Sequence, residues 1–158
     1  MKSKILTLPE LAARAGKMRD AGRRLVLTNG CFDLLHVGHV RYLQQAAELG
    51  DALAVAVNGD ESVQALKGPG RPLNSADDRA EVLAALDCVS FVTVFPDIRA
   101  TAVIKAVRPA VYVKGGDYTL DRLDPEEVAV LKKAGAEIKT LPLVPEKSTT
   151  RLIERMQR

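Results

Sequence analysis

Five short apolar runs alternate with helical segments along the chain, and this alternation constrains the fold more than any other feature. Runs rich in Val, Leu and Ala without polar alternation are typical of strands that are buried on both faces. Their alternation with helices favours an α/β fold with a doubly wound, five-stranded parallel sheet, right-handed crossovers and a ligand cleft beyond the carboxyl ends of the strands. The predicted strands are Arg24–Asn29, Asp51–Asn58, Val89–Phe95, Ala110–Lys114 and Glu137–Val144.

Helical segments separate the predicted strands, and one more helix precedes the first strand. Thr7-x-x-Glu10 has the spacing of a capping box, so this helix is predicted over residues 8–21, ahead of Gly22. At 158 residues, with no repeat or linker, the chain is expected to form a single domain over residues 1–158. The other predicted helices are His39–Leu49, Glu61–Leu66, Ala76–Leu86, Ile98–Val107, Pro125–Ala134 and Thr149–Gln157.

Composition argues against several classes of function. The net charge of +3 comes from scattered Lys and Arg residues, and aromatic residues make up 4% of the chain, so a small polyphosphate is a better expected ligand than nucleic acid. No apolar run approaches the length needed to cross a bilayer. Cys31 and Cys88 form no disulfide framework and the amino-terminal segment lacks an apolar signal core, so a cytoplasmic location is expected.

The two histidines of the chain, His36 and His39, stand three residues apart at the predicted junction of the first strand and the next helix. This spacing places both rings on one side, and a helix start offers free N–H groups and a positive dipole end to an anion such as phosphate. Gly38 removes a side chain where a phosphate would approach the backbone. Two histidines near a helix end can equally be surface or capping residues, whereas a zinc site lacks further ligands.

The surrounding residues carry a more specific signal. The string Thr28-Asn-Gly-Cys-Phe-Asp-Leu-Leu-His-Val-Gly-His39 resembles the nucleotidyltransferase superfamily, which is defined by an H-x-G-H motif after its first strand. Within that superfamily the chain is most similar to the adenylyltransferases that act on D-glycero-β-D-manno-heptose 1-phosphate. That likeness rests on Asn58-Gly-Asp60, Leu66-Lys-Gly68, Arg71-Pro-Leu-Asn74, Asp78-Arg79 and Val113-Lys-Gly-Gly-Asp-Tyr118. The resemblance implies a Rossmann-like nucleotidyltransferase fold.

The resemblance also implies roles for individual residues. His36 and His39 are expected to donate hydrogen bonds to the triphosphate around the scissile linkage, and Lys67 to steady the charge of the transition state. Arg79 is expected to organise the site from behind, with a surface ion pair as the alternative. The expected nucleotide-binding residues are Gly30, Phe32, Gly38, Gly115, Asp117, Ser148, Thr149 and Thr150, and the expected substrate-binding residues are Asp33, Asn58, Lys67 and Arg71.

One feature limits this assignment of roles, and two others bear on the mechanism. The family's Ser-Thr-Thr signature usually follows a Gly-containing segment, while this chain has Val144-Pro-Glu-Lys147 before Ser148. Cys31 lies inside the motif but has no neighbour in the sequence that would activate it, so a covalent intermediate is not expected. Asp77, Asp78 and Glu81 indicate an acidic first helical turn rather than a catalytic carboxylate pair.

The reaction implied by the resemblance is the transfer of AMP from ATP, bound with Mg²⁺, to a sugar 1-phosphate, with release of pyrophosphate. The attacking phosphate is already an anion, so no general base is expected, and no protein ligand of a metal is predicted. A heptose kinase on a separate chain would supply the substrate. The sequence allows a homo-oligomer as well as a monomer. The alternatives are a cytidylyltransferase for glycerol 3-phosphate or another polyol phosphate, and a noncatalytic ATP-binding sensor.

Overall fold

A computed structural model describes residues 4–116, 123–142 and 147–158. In these residues five strands alternate with seven helices. The strands are β1 (Leu25–Gly30), β2 (Ala52–Asn58), β3 (Phe91–Phe95), β4 (Val111–Gly115) and β5 (Glu137–Leu141). The helices are α1 (Leu8–Asp20), α2 (Val37–Ala47), α3 (Asp60–Lys67), α4 (Ala76–Ala84), α5 (Thr101–Val107), α6 (Pro125–Lys133) and α7 (Thr149–Met156).

The strands form one parallel sheet in the order β3-β2-β1-β4-β5. The chain moves outward from β1 in one direction through β2 and β3, and in the other direction through β4 and β5. The strand order therefore reverses between β1 and β4, and a crevice forms outside their carboxyl ends. The prediction of a doubly wound, five-stranded parallel sheet is confirmed.

Apolar side chains pack on both faces of the sheet. Every residue of the interior strand β2 is buried, as expected for a parallel strand covered by helices on both sides. One core joins the sheet to α1, α5 and α6, and includes Leu11, Ile104 and Leu131. The other core joins it to α2 and α4, and includes Leu43 and Leu83. These two cores hold the carboxyl ends of the strands in a fixed frame.

The ladder between β1 and β4 is short. It pairs Val26 with Val111 and Leu27 with Tyr112, whereas the ladder between β1 and β2 extends over the whole of β1. Beyond the last pair, the hydroxyl of Thr28 donates to the Val113 carbonyl at 2.9 Å. The two strands therefore part toward the crevice while a side chain still satisfies the backbone between them.

The bounds of several elements differ from those predicted. Helix α2 begins at Val37 rather than His39, because the side chain of His36 caps it. Helix α5 begins at Thr101 rather than Ile98, since the Asp97 and Ile98 carbonyls accept the side-chain amide of Asn58. The prediction that β5 reaches Val144 falls partly outside the described residues. Within those residues, no helix combines the length and apolar character needed to cross a membrane.

Candidate active site

The two motif histidines form a reciprocal cap at the start of α2. His36 is the N-cap residue, and its Nδ1 accepts the Gly38 amide at 3.0 Å. Three residues on, Nδ1 of His39 accepts the amide of His36 at 3.3 Å. The arrangement is that of a capping box with imidazoles in place of the usual hydroxyl and carboxylate. As a result the two rings lie together, with their centroids 4.0 Å apart.

This cap fixes the tautomer of both rings. A neutral imidazole whose Nδ1 accepts a hydrogen bond carries its proton on Nε2, so each ring has one N–H left to donate. Burial, and then the charge of His36, lower the pKa of His39 to about 4. Burial and then the charge of Lys147 lower the pKa of His36. Both rings are therefore neutral Nε2–H donors near neutral pH.

Gly38 leaves room for the ring of His36. A Cβ at position 38 would lie 2.7 Å from Cε1 and 2.8 Å from Nδ1 of His36, and 3.4 Å from Cβ of Lys147. The sequence predicted a glycine here because a phosphate would approach the backbone. The structure shows a different reason, which is that the ring of His36 occupies the space beside Gly38. Without glycine the first histidine could not fold back over the helix start to accept the Gly38 amide.

Gly30 and Phe32 support the second histidine. Phe32 is buried, has a positive φ of 48°, and its ring centroid lies 5.5 Å from that of His39. A Cβ at Gly30 would lie 3.0 Å from the Phe32 ring. Two of the residues predicted to bind nucleotide thus pack against each other where the chain leaves β1, and one of them, Phe32, packs against His39.

Asp33 ties the motif to the loop after α3. Its carboxylate accepts the Leu73 amide at 2.8 and 2.9 Å, the Asn74 amide at 3.0 Å and Nε of Arg71 at 2.8 Å. Its carbonyl accepts Nδ2 of Asn74 at 2.9 Å. Burial by itself would raise the pKa of Asp33, but these donors together hold the pKa below its ordinary value. Asp33 is therefore a charged carboxylate that is enclosed by one loop.

Arg79 joins three segments behind the site. Its side chain is fully buried and donates to the Cys31 carbonyl at 2.6 Å, the Asn74 carbonyl at 3.0 Å and the Asp60 carboxylate at 2.8 Å. A buried guanidinium that binds two carbonyls is a structural centre, and this excludes the alternative of a surface ion pair. The prediction that Arg79 organises the site from behind agrees with these contacts.

Lys67 is exposed at the end of α3, and its positive charge acts on the Cys31 thiol in the histidine motif. Burial raises the pKa of the Cys31 thiol, while the charges of Lys67, Arg79 and Arg71 act in the opposite direction. The raised pKa agrees with the expectation that Cys31 is not a nucleophile. Lys67 and Arg71 are remote from the histidines in sequence. Their charges nevertheless act on Cys31, which lies in the segment that leads to the histidines.

Asn58, another predicted substrate-binding residue, is buried at the end of β2. Its amide group donates to the Asp97 and Ile98 carbonyls, each at 3.2 Å, and to the Ser62 hydroxyl at 3.4 Å. These contacts fix the turn after β3. A role for Asn58 in binding substrate stays a prediction.

Helix α7 brings positive charge to the histidines. Ser148 caps the helix by accepting the Arg151 amide at 3.0 Å, and Thr149 donates to the Leu34 carbonyl at 2.8 Å. A cavity of about 230 Å³ lies between α7 and the first histidine. It is lined by His36, Lys147, Ser148, Arg151, Leu152 and Arg155. Among the described residues, this lining contains cations and no carboxylate, so it suits a polyphosphate.

Sequence reasoning singled out the hydroxyls of α7 but missed Arg151 and Arg155. The sequence did contain a signal, because Lys147, Arg151 and Arg155 follow one another at intervals of four residues. Residues four apart on a helix share a face. Gly115, predicted to bind nucleotide, ends β4 at the crevice. Asp117 lies outside the described residues, and its predicted role stays a prediction.

A parallel sheet whose strand order reverses beside paired histidines at a helix start is the arrangement of a nucleotidyltransferase domain. The chain belongs to the cytidylyltransferase-like family, whose model matches residues 27–155. The match includes the histidines, the loop after α3 and most of α7.

Individual relatives agree with this family. The chain is 48% identical over 155 residues to the bifunctional protein HldE of Geotalea uraniireducens, and 46% identical over 154 residues to that of Geobacter sulfurreducens. Each alignment covers 98% of this chain but 31% of the relative, so the chain spans about a third of the length of these relatives. A lipopolysaccharide core biosynthesis protein of Thermoplasma volcanium has a similar structure, with a TM-score of 0.63 and 25% identity over 80% of this chain and 100% of the other.

Proposed function

We propose that this chain is an adenylyltransferase that transfers AMP from ATP to D-glycero-β-D-manno-heptose 1-phosphate, giving ADP-heptose and pyrophosphate. The reaction class is supported above all by two adjacent neutral histidines with free Nε2–H donors, the first of which lines a cavity together with cations. The substrate is supported by the strings that resemble the heptose branch. The relatives named HldE and the neighbour titled a lipopolysaccharide core biosynthesis protein agree with it.

The mechanism needs no general base. A phosphate oxygen of the sugar 1-phosphate attacks the α-phosphorus of ATP, the bond from that phosphorus to the bridging oxygen breaks, and pyrophosphate leaves with the electron pair. The main barrier is the repulsion between two anions, together with the charge that develops on the bridging oxygen. Donors that folding has already oriented lower this barrier without reorganisation, and Nε2–H of His36 and His39 meet that condition.

The cations divide between the two reactants. Lys147, Arg151 and Arg155 lie on the side of α7 and suit the β- and γ-phosphates and the departing pyrophosphate. Lys67 at the end of α3 and Arg71 in the loop after it approach the motif and suit the acceptor phosphate. Gly115 and Asp117 would contact the nucleoside at the crevice.

Mg²⁺ is proposed to enter with ATP. Within residues 4–116, 123–142 and 147–158, no group of three or more His, Cys, Asp or Glu side chains could hold a metal ion. The carboxylate of Asp33 is also surrounded by N–H donors. Because Mg²⁺ commonly keeps water and substrate phosphates as ligands, the triphosphate is the natural carrier of the ion. A heptose kinase activity acting beforehand would supply the sugar 1-phosphate.

The test is a pyrophosphate-release assay that crosses two nucleotides with two acceptors. ATP and CTP are each offered with heptose 1-phosphate and with glycerol 3-phosphate. His39→Ala protein, purified by the same procedure, controls for contaminating enzymes. The proposal expects rapid release only with ATP and heptose 1-phosphate. A preference for CTP and glycerol 3-phosphate would establish the cytidylyltransferase alternative. ATP binding by calorimetry without turnover of any acceptor would establish a noncatalytic sensor.

A further inference from the structure

The carboxylate of Asp33 has little capacity left for a ligand. Asp33 is 4% exposed and its side chain 1% exposed. A carboxylate offers about four acceptor positions, and both of its oxygens already receive donors. Oδ1 accepts the amides of Leu73 and Asn74, and Oδ2 accepts the Leu73 amide and Nε of Arg71. A phosphate brought to this carboxylate would meet like charge and no donor.

Arg71 is the opposite case. A guanidinium has five N–H donors in a rigid fork, and Asp33 takes the one on Nε. Among the described residues, the η nitrogens of Arg71 donate to no partner. Neither η nitrogen belongs to the buried side-chain N and O atoms without a partner in that part of the chain, which are the hydroxyl oxygens of Thr93 and Thr101. The side chain of Arg71 is 15% exposed, whereas that of Asp33 is 1% exposed, so Arg71 is the member of the pair that reaches the surface.

The position of the η nitrogens matters because a guanidinium binds phosphate best through two parallel N–H groups. An unrestrained arginine on a loop would have to lose side-chain entropy before it could bind in this way. The ion pair at 2.8 Å and the two loop amides on the same carboxylate remove that freedom in advance. Arg71 also acts electrostatically on Cys31, two residues before Asp33, so its guanidinium lies beside the motif.

We propose that Asp33 is a positioning residue that touches no substrate and acts through Arg71, whose η nitrogens bind the phosphate of the acceptor. The identity of that acceptor rests on the proposed function. Asp33 fixes Nε of Arg71 and the amides of Leu73 and Asn74, which sets the place of the loop relative to the histidines. The direct contact between Asp33 and substrate that the resemblance implied is thereby replaced by an indirect one.

A double-mutant cycle tests this mechanism. Asp33→Asn keeps one oxygen for the loop amides but loses the ion pair, and it should raise KM for heptose 1-phosphate roughly tenfold while KM for ATP changes less than about twofold. Arg71→Ala should have a similar or larger effect. Adding Asp33→Asn to Arg71→Ala should then cost less than about twofold more, because the residue through which Asp33 acts is gone. Losses that multiply would show an independent contact and overturn the proposal.

Two measurements guard against simple misfolding. Amide hydrogen exchange at Leu73 and Asn74 should rise in Asp33→Asn and stay unchanged in Asp51→Asn, a carboxylate at the other end of the sheet that accepts the Arg24 amide. Unchanged exchange in Asp33→Asn would overturn the positioning role. If Asp33→Asn does not fold, Arg71→Lys replaces it. Lysine keeps the charge but cannot bind Asp33 and phosphate as a fork, so KM for the acceptor should rise nearly as far as in Arg71→Ala.

The outcome is separable from that of the proposed function. If the unmutated protein turns over no acceptor, the adenylyltransferase assignment fails, yet the exchange at Leu73 and Asn74 still shows whether Asp33 holds the loop. If heptose 1-phosphate is turned over and Arg71→Ala leaves its KM unchanged, the function stands and the role given to Arg71 and Asp33 is wrong.

Discussion

Helices α2 and α7 both begin at the site, but they are held in different ways. Leu43 and Ala46 of α2 have no exposure, and the start of the helix is closed by the two histidines. Helix α7 buries none of its residues; its start is held by the Ser148 cap and by the bond from Thr149 to the Leu34 carbonyl. Folding therefore fixes the histidines, whereas the cations of α7 depend on weaker contacts.

This difference separates two tasks of one site. Donors that act on the transition state gain from a fixed position, because any reorganisation would be added to the barrier. Cations that gather a polyphosphate can adapt, since the ligand itself contributes to their order. Changes on the side of α2 should therefore act mainly on kcat, and changes on the side of α7 mainly on KM for ATP.

The largest expected effect comes from removing one fixed donor. His39→Ala should lower kcat by roughly 10²–10³, the usual loss for a single donor to a developing charge. KM for ATP should change much less, because binding of the ground state relies on the cations. Steady-state pyrophosphate release measures both constants, and circular dichroism checks the fold. Near-normal turnover in a folded protein would end the catalytic role of His39.

A smaller loss is expected when the donor stays but moves. Gly38→Ala places a Cβ within 2.7 Å of the His36 ring, so the ring must shift and the Gly38 amide loses its acceptor. We expect kcat to fall about tenfold or more, as for a catalytic group displaced by a fraction of an ångström to one ångström. Gly16→Ala is the matched control, because its Cβ would meet nothing nearer than Arg19 at 3.8 Å in the interior of α1.

For α7 the expected effect is on binding. Arg151→Ala and Arg155→Ala each remove a cation from the cavity beside His36 and should raise KM for ATP roughly fivefold, with kcat reduced less. The increase should shrink at high salt because exposed charges are screened. Arg158→Ala at the exposed end of the chain is the control. A fall in kcat with unchanged KM would contradict the division between the two helices.

A still smaller effect should follow from loosening α7 itself. Thr149→Val removes the donor to the Leu34 carbonyl, a bond of about 0.5–1.5 kcal/mol, without changing the shape of the side chain. Amide hydrogen exchange in α7 should rise several-fold in the ligand-free protein. Thr150→Val, at an exposed position of the same turn, should leave that exchange unchanged. Equal exchange in both variants would show that α7 is held by other contacts.

The fold was largely predictable from the sequence because buried parallel strands require continuous apolar runs, and those runs were legible. The predicted starts of two helices were wrong because side chains bind the backbone groups there. The cap by His36 moved the start of α2 to Val37, and the amide of Asn58 held the turn before α5. Neither contact leaves a periodic signal, since each depends on residues that meet only after folding.

The site was predictable as a set of residues but not as a set of contacts. The motif identified His36 and His39 without showing that they cap each other, and this mutual bond determines which nitrogen can donate. Asp33 and Arg71 were assigned to the same substrate, whereas the structure pairs them with each other. A resemblance transfers identities along the chain, while tautomers and ion pairs require coordinates.

The smallest expected effect on activity is that of pH, and its sign follows from the histidine cap. Burial, and then the charge of His36, lower the pKa of His39 to about 4, and burial and then Lys147 lower that of His36. An unfolded histidine titrates near ~6.5. Between about pH 4 and 6.5 the unfolded state therefore binds a proton that folded His39 does not, so stability should fall as pH falls through this window and should not depend on His39 above it.

The rate should not follow that titration. From about pH 5.5 to 8 the His39 ring stays a neutral Nε2–H donor, so kcat should show no step near the ordinary histidine pKa of ~6.5. With two histidines in the chain, two Cε1–H resonances report the titration directly by NMR. We expect the His39 resonance, assigned by its absence in His39→Ala, to remain constant over this range. A His39 ring that titrates at ~6.5, with kcat changing over the same pH range, would mean that the cap does not hold a neutral donor. The start of α2 would then lack the feature that distinguishes it from α7.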